Sequence, residues 1–261
     1  MAELPVQQAR SPMIEAWKQK KRINDNLADV KFKIAVLSGK GGVGKTTVAV
    51  NLAAALVKQG KSVGILDADI DCPNVNKVLG ISELFRAVHD KILPIEKYGM
   101  RIVSMASVQQ GNDVLIWRGP MLTHAILQFL EMVEWGNLDY LIIDLPPGTS
   151  DAPLTVMQSS SLDGAIIVTT PQPVATMDAK KAAKMANKLN VKVLGIVENM
   201  SGDIFGRGGG AEAAKELGVP LLTTIELRKE IRDYSDNGIP PVIKDPSTLK
   251  NFEEIISKIK L

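Results

Sequence analysis

A chain of 261 residues with 45% hydrophobic content is long enough for one large α/β domain or two small ones and can build a substantial core. Its 31 basic and 29 acidic residues leave a net charge of +2, so no overall field calls for nucleic acid or an anionic membrane. Cys72 is the only cysteine, which rules out an intrachain disulfide; no apolar run reaches the roughly 18 residues of a membrane span, and residues 1–11 lack a secretion signal's apolar region, so a cytoplasmic protein is expected.

Residues 1–31 read as a polar extension preceding a domain at 32–261. Pro5 and Pro12 break its start, and Lys18, Lys20, Lys21 and Arg22 cluster in a helical segment whose plain reading is a solvated arm. From Phe32 the pattern becomes regular. Nearly unbroken apolar runs at 34–37, 63–66, 102–105, 140–143, 165–168 and 193–197 read as strands buried on both faces. Helical stretches at 45–59, 121–134, 174–189 and 211–217 lie between several of them. This alternation predicts a single doubly wound α/β domain with about seven or eight mostly parallel strands. The segment 80–120, with Pro94, Gly99, Gly111, Asn112 and Gly119, is less regular and reads as loops that a partner could touch. Residues 251–261 place Phe252, Ile255, Ile256 and Ile259 on one helical face. Glu253 and Glu254 on the polar face would be repelled by anionic lipid, so this helix is expected to dock on its own domain.

The first apolar run leads into Gly39, Lys40, Gly41, Gly42, Val43, Gly44, Lys45, Thr46 and Thr47, which fit the phosphate-loop pattern G-x-x-x-x-G-K-[ST] in a strand–loop–helix context. Such glycines let backbone N–H groups converge on phosphate oxygens, and the helix N-terminus adds its positive dipole end. Lys45 is expected to reach the β- and γ-phosphates and Thr46 to ligate Mg²⁺. Asp67 and Asp69 end the second run on the same side of the chain, followed by Asp71; carboxylates at such an edge face the ligand crevice, though a pair of solvated turn aspartates would look the same. Residues 138–144 have the Walker B form, and Asp144 is expected to hold Mg²⁺ through water. Pro146, Pro147 and Gly148 then stiffen a segment that reads as a switch, with Gly148 allowing close backbone approach to the γ-phosphate. Gly206, Arg207, Gly208, Gly209 and Gly210 also look like a phosphate cradle but lack the Lys-[ST] ending, so a turn entering the helix at 211–217 is the better reading.

Lys40 gives the loop a second lysine, and the loop resembles the deviant Walker A form shared by MinD, ParA, the arsenical pump ATPase and nitrogenase iron protein. Further strings bring the chain closer to the Mrp/ApbC group of iron–sulfur cluster carrier ATPases, relatives of the Nbp and Cfd scaffolds. These are Asp67-Ala68-Asp69-Ile70, Ile116-Trp117-Arg118-Gly119-Pro120, Asp144-Leu145-Pro146-Pro147-Gly148-Thr149, Thr169-Thr170-Pro171-Gln172 and Glu198-Asn199-Met200-Ser201. The resemblance implies a homodimeric, slow, Mg²⁺-dependent ATPase acting in iron–sulfur cluster assembly. It also implies that Lys40 reaches the partner subunit's nucleotide, Asp69 orients the attacking water, Asp67 supports the metal's water shell and Asn199 reads the adenine edge. A [4Fe–4S] cluster across the two-fold axis would follow from the resemblance, but the expected Cys-x-x-Cys after Ser201 is replaced by Gly202-Asp203-Ile204-Phe205-Gly206. Cys72 stands where the group usually has Gly, Ser150 replaces a usual Gly, and Glu226 sits where Pro is common. A regulatory member, or one paired with a cysteine-bearing relative, is therefore the expectation. The rival readings are a MinD/ParA-like switch without cluster chemistry and a metabolic kinase, for which no acceptor-site motif is visible.

Overall fold

In the computed structural model the described residues are 12–69, 72–89, 91–107 and 119–259. Asp71, Gly111, Asn112 and the Ile116-Trp117-Arg118 part of one quoted string lie outside them, as does Pro5. In chain order the elements are α1 (Pro12–Asn26), β1 (Val30–Ser38), α2 (Lys45–Lys58), β2 (Val63–Asp67), α3 (Val75–Leu79), β3 (Arg86–Val88), β4 (Lys91–Leu93), β5 (Ile95–Lys97) and β6 (Met100–Ser104). After a short 3-10 turn come α4 (Gly119–Met132), β7 (Leu138–Asp144), α5 (Asp151–Ser159), β8 (Gly164–Thr169), α6 (Pro173–Lys188), β9 (Val193–Ser201), α7 (Gly209–Leu217) and β10 (Leu221–Glu226). The chain then turns through α8 (Lys229–Asp236), α9 (Pro241–Lys244) and α10 (Pro246–Lys258).

The apolar runs become the inner strands of an eight-stranded sheet ordered β10-β9-β8-β1-β7-β2-β6-β5. Every neighbouring pair is parallel except β5 with β6, a short antiparallel edge. β3 and β4 form a separate hairpin. Alternation along β1 shows how both faces are covered. Ala35 and Leu37 join the cluster built with α1, α4, α5, α6 and α7, whereas Ile34 and Val36 join the one built with α2, α3, α9 and α10. β1 lies between β7 and β8, so the sheet is built outward in both directions from it. A crevice at the C-terminal end of such a strand is where open α/β sheets take ligands.

Two boundaries differ from the sequence reading. The domain core begins before Phe32: Ile23, Leu27 and Val30 are 0%, 2% and 2% exposed. Arg22 pairs with Glu131, and Asn26 Nδ2 donates to the carbonyls of Leu130 (3.0 Å) and Val133 (2.9 Å) on α4. The lysine cluster on the outer face of α1 hid Ile23 on its inner face, and Leu27 and Val30 follow in the turn and at the start of β1. At the other end α10 starts at Pro246 rather than 251, because the Asp245 side chain accepts from Ser247 N (3.3 Å) and Thr248 N (3.0 Å) and caps it. Phe252 and Ile255 are buried, so α10 docks on the domain as expected.

Candidate nucleotide site

β1 ends in buried Ser38, and the chain turns at Gly39. A Cβ there would fall 2.1 Å from the Asp178 carbonyl carbon and 2.5 Å from Ala179 N, so only glycine lets the loop lie against α6. Gly42 and Gly44 take φ of 78° and 82°, the left-handed region that favours glycine. Val43 between them is buried and anchors the loop in the core. Gly44 is the N-cap residue of α2, so the loop opens onto that helix's positive end.

Lys45 is 6% exposed; its Nζ donates to Asp144 Oδ1 at 2.6 Å and lies 3.7 Å from Asp69 Oδ2. Thr46 Oγ1 donates to Asp144 Oδ2 at 2.6 Å. The lysine and hydroxyl of the loop therefore meet on one carboxylate at the end of β7, as the motif spacing requires. Asp67 and Asp144 are register partners on β2 and β7. Both oxygens of Asp67 accept internal bonds: Oδ1 from Asp69 N (3.2 Å), Oδ2 from Val75 N (3.1 Å) and Ser104 Oγ (2.9 Å). Burial, and then the Asp144 charge, pushes the Asp67 carboxyl up to about 8. Asp67 thus organises the turn after β2 from behind the cleft, while Asp69 lines it. Asp69 Oδ1 accepts from Cys72 N at 3.3 Å.

Hard oxygen donors at Thr46 and Asp144, with Asp67 and Asp69 nearby, suit a magnesium ion, which takes few protein ligands and keeps waters and phosphate oxygens. Burial and then the Asp144 charge disfavour ionisation of Asp67, and a divalent cation beside Asp144 would offset the second of these. A cluster of thiolates is another matter. Cys72 is exposed, and no group of three or more His, Cys, Asp or Glu among the described residues is placed to hold a metal. Where the cysteine pair would be sought, Gly202 and Gly206 exchange backbone hydrogen bonds (2.9 and 2.7 Å) around a short turn whose Ile204 is 78% exposed. The residues present do not fit a [4Fe–4S] cluster.

The cleft holds about 710 Å³ and runs from the loop past Asp69 to Leu227, Arg228 and Ile231 beside α8. Gly41, Gly42, Thr47 and Asn199 also line it. Asn199 is buried and its Nδ2 donates to Val43 O at 2.9 Å, which commits one of its amide hydrogens to the loop. Lys40 is half-buried and makes no ion pair among the described residues; its carbonyl accepts from Ser38 Oγ at 3.0 Å. Gly148, at φ 86°, donates its N–H to Ser38 O at 2.8 Å. Glu226 stands at the cleft's far end, 3.2 Å from Arg207. Glu198 fills the second glycine-rich turn: it accepts from Gly208 N (3.1 Å) and Gly210 N (2.6 Å).

Several contributors escaped the sequence reading. Asn51 is fully buried, donating to Thr47 O (2.8 Å) and accepting from Val242 N (3.0 Å), so it ties the loop helix to α9. Its position inside an apolar helix was the available signal. Ser104 and the α8 wall carried none.

A strand–loop–helix phosphate cradle whose lysine and threonine converge on a Walker B carboxylate defines a P-loop nucleotide-binding protein with a MinD-like doubly wound sheet. The family model described as ParA, NUBPL iron-transfer P-loop NTPase, matches residues 29–260. The chain belongs to this family. It is 50% identical to the iron-sulfur cluster carrier protein of Methanocaldococcus jannaschii, the match covering 92% of this chain and 88% of that one. The carrier protein of Pyrococcus horikoshii is 47% identical over 91% of this chain and 88% of its own length. Among solved structures, a nucleotide-binding protein in complex with ADP from Archaeoglobus fulgidus superposes with a TM-score of 0.75 at 37% identity, covering 85% of this chain and 92% of that one. The septum site-determining protein MinD complexed with Mg-ADP from Pyrococcus horikoshii gives 0.69 at 26% identity, covering 88% and 96%. No helix among the described residues is long and apolar enough to cross a membrane.

Proposed function

We propose that this chain binds ATP with Mg²⁺ and hydrolyses it slowly as a cytoplasmic homodimer serving iron–sulfur cluster assembly. The observation that carries the reading is the convergence of Lys45 and Thr46 on Asp144, each at 2.6 Å, at the head of a cleft of nucleotide size. The loop amides and Lys45 hold the phosphates, and Thr46 and Asp144 hold the metal. Bound Mg²⁺ neutralises charge on the phosphate oxygens. Asp69 positions the attacking water, Asp67 fixes the turn that carries Asp69 and supports the metal's waters, and Lys40 acts across the dimer. Asn199 keeps its carbonyl oxygen and one N–H for the adenine edge.

The names of the relatives, iron-sulfur cluster carrier proteins, support the cellular setting. A single cysteine per chain gives a dimer half the thiolates that a [4Fe–4S] cluster takes, so the proposed role is regulatory, or shared with a cysteine-bearing relative or an iron–sulfur apoprotein. Anaerobic reconstitution with iron and sulfide tests this. The chain without a partner is expected to stay colourless and to gain or pass on a cluster only with a cysteine-bearing relative present. A cluster absorbance band from the pure chain would contradict it.

A second reading, a nucleotide-switched protein that binds a partner or membrane without cluster chemistry, is favoured by the missing cysteines and the MinD likeness. Liposome co-sedimentation that rises with ATP over ADP would support it; the near-neutral charge predicts none.

A further inference from the structure

We infer that Asn199 is a positioning residue for the phosphate loop: a latch on β9 that sets the loop's backbone whether or not a base is bound. The inference rests on the nucleotide reading of the cleft and deepens it. Asn199 Nδ2 donates to Val43 O at 2.9 Å, with both residues buried. A Cβ on Gly44 would lie 2.2 Å from that same Nδ2 and 3.3 Å from Met200 Cε, so the loop's last glycine is seated directly on the β9 end. In a trans peptide the carbonyl and the following N–H point in opposite directions. Holding Val43 O toward Asn199 therefore turns the Gly44 N–H away from β9, to the side where phosphate oxygens would sit.

The latch is itself fixed from both sides. Glu198, 1% exposed, is held by the N–H groups of Gly208 and Gly210 at the start of α7. Met200 takes φ 58°, a left-handed conformation that a residue with a side chain adopts only when its surroundings impose it. A continuous path runs from α7 through β9 to the loop and α2. A residue that only read the base would leave the loop unchanged when no base is present; the latch acts on the loop directly.

The test uses the full chain and the variants Asn199→Ala and Asn199→Asp. The aspartate keeps the packing but cannot donate to Val43 O. Hydrogen–deuterium exchange of residues 39–46 without nucleotide is expected to quicken about tenfold in both variants, the worth of one buried hydrogen bond. Affinity for Mg-tripolyphosphate, which has no base, is expected to fall about tenfold, and affinity for MgATP by at least that factor because the adenine contact is lost as well. Unchanged loop exchange, with a loss confined to ATP, would overturn the latch and leave Asn199 as a base reader. Lys45→Ala separates the underlying reading: if it kept both affinities, the phosphate assignment would fail, while the exchange experiment would still decide the latch.

Discussion

α2 and α7 begin alike. Each follows a buried parallel strand through a glycine-rich turn, and each has a left-handed glycine as its N-cap residue, Gly44 at φ 82° and Gly208 at φ 88°. They differ in what meets the helix's first N–H groups. At α7 the chain supplies its own anion, the Glu198 carboxylate. At α2 the nearby carboxylates of Asp144 and Asp69 are drawn onto Lys45 and Thr46 instead, and the turn lines the cleft. A helix N-terminus attracts anions in general; it serves an outside ligand only where the chain has not already filled it. The α10 start, capped by Asp245, is a second filled example.

The largest effect expected from breaking this comparison is at Lys45. Lys45→Ala is predicted to weaken MgATP binding at least about a hundredfold and to abolish hydrolysis, measured by calorimetric titration and phosphate release. Glu198→Ala attacks the filled helix. It leaves the N–H groups of Gly208 and buried Gly210, at the start of α7, without their carboxylate partner and is predicted to lower stability by about 2 kcal/mol in urea unfolding, with no gain of nucleotide binding at α7. The two turns also separate by steric demand. Gly39→Ala drives a Cβ into the Asp178 backbone and is predicted to cost about 3 kcal/mol. Gly208→Ala meets nothing within 4 Å and bears only its φ of 88°, about 1–2 kcal/mol.

The smallest effect is at Asp245. Burial pushes its carboxyl up, but bonds from Thr248 and Arg228 outweigh burial and hold it at about 2 against an ordinary 3.8. A depressed folded value means that its contribution is complete above about pH 4 and lost as pH falls through about 2. Asp245→Asn is predicted to flatten the acid limb of the stability curve in that window and to leave nucleotide affinity unchanged.

The sequence marked the turn at the open helix by its local pattern and the filled one only in part. Residues 39–47, Asp69 and Asp144 are local patterns whose geometry follows from strand, turn and helix in succession. The absence of Lys-[ST] after Gly210 correctly demoted the second turn, but nothing local said that Glu198 would fill it, because that contact spans residues ten and twelve apart. The Asn199–Val43 bond spans 156 positions and depends on the sheet placing β9 one strand away from β1, across β8. Among the elements, the long apolar strands were plain. α8 offers only Ile231, which packs partly buried against the core, and Tyr234, too few apolar positions to establish a helical face. β10 interrupts its apolar residues with Thr223 and Thr224, and β3, β4 and β5 are too short to establish a period. The inward face of α1 was hidden by its lysines.

The most direct measurement is a crystal structure of the full chain grown with Mg²⁺ and a non-hydrolysable ATP analogue. The predicted result is the triphosphate seated on the amides of residues 41–46, with Lys45 moved from Asp144 onto phosphate and Glu198 still bonded to Gly208 and Gly210. A triphosphate at the α7 turn, or Lys45 still paired with Asp144 and away from the ligand, would contradict it.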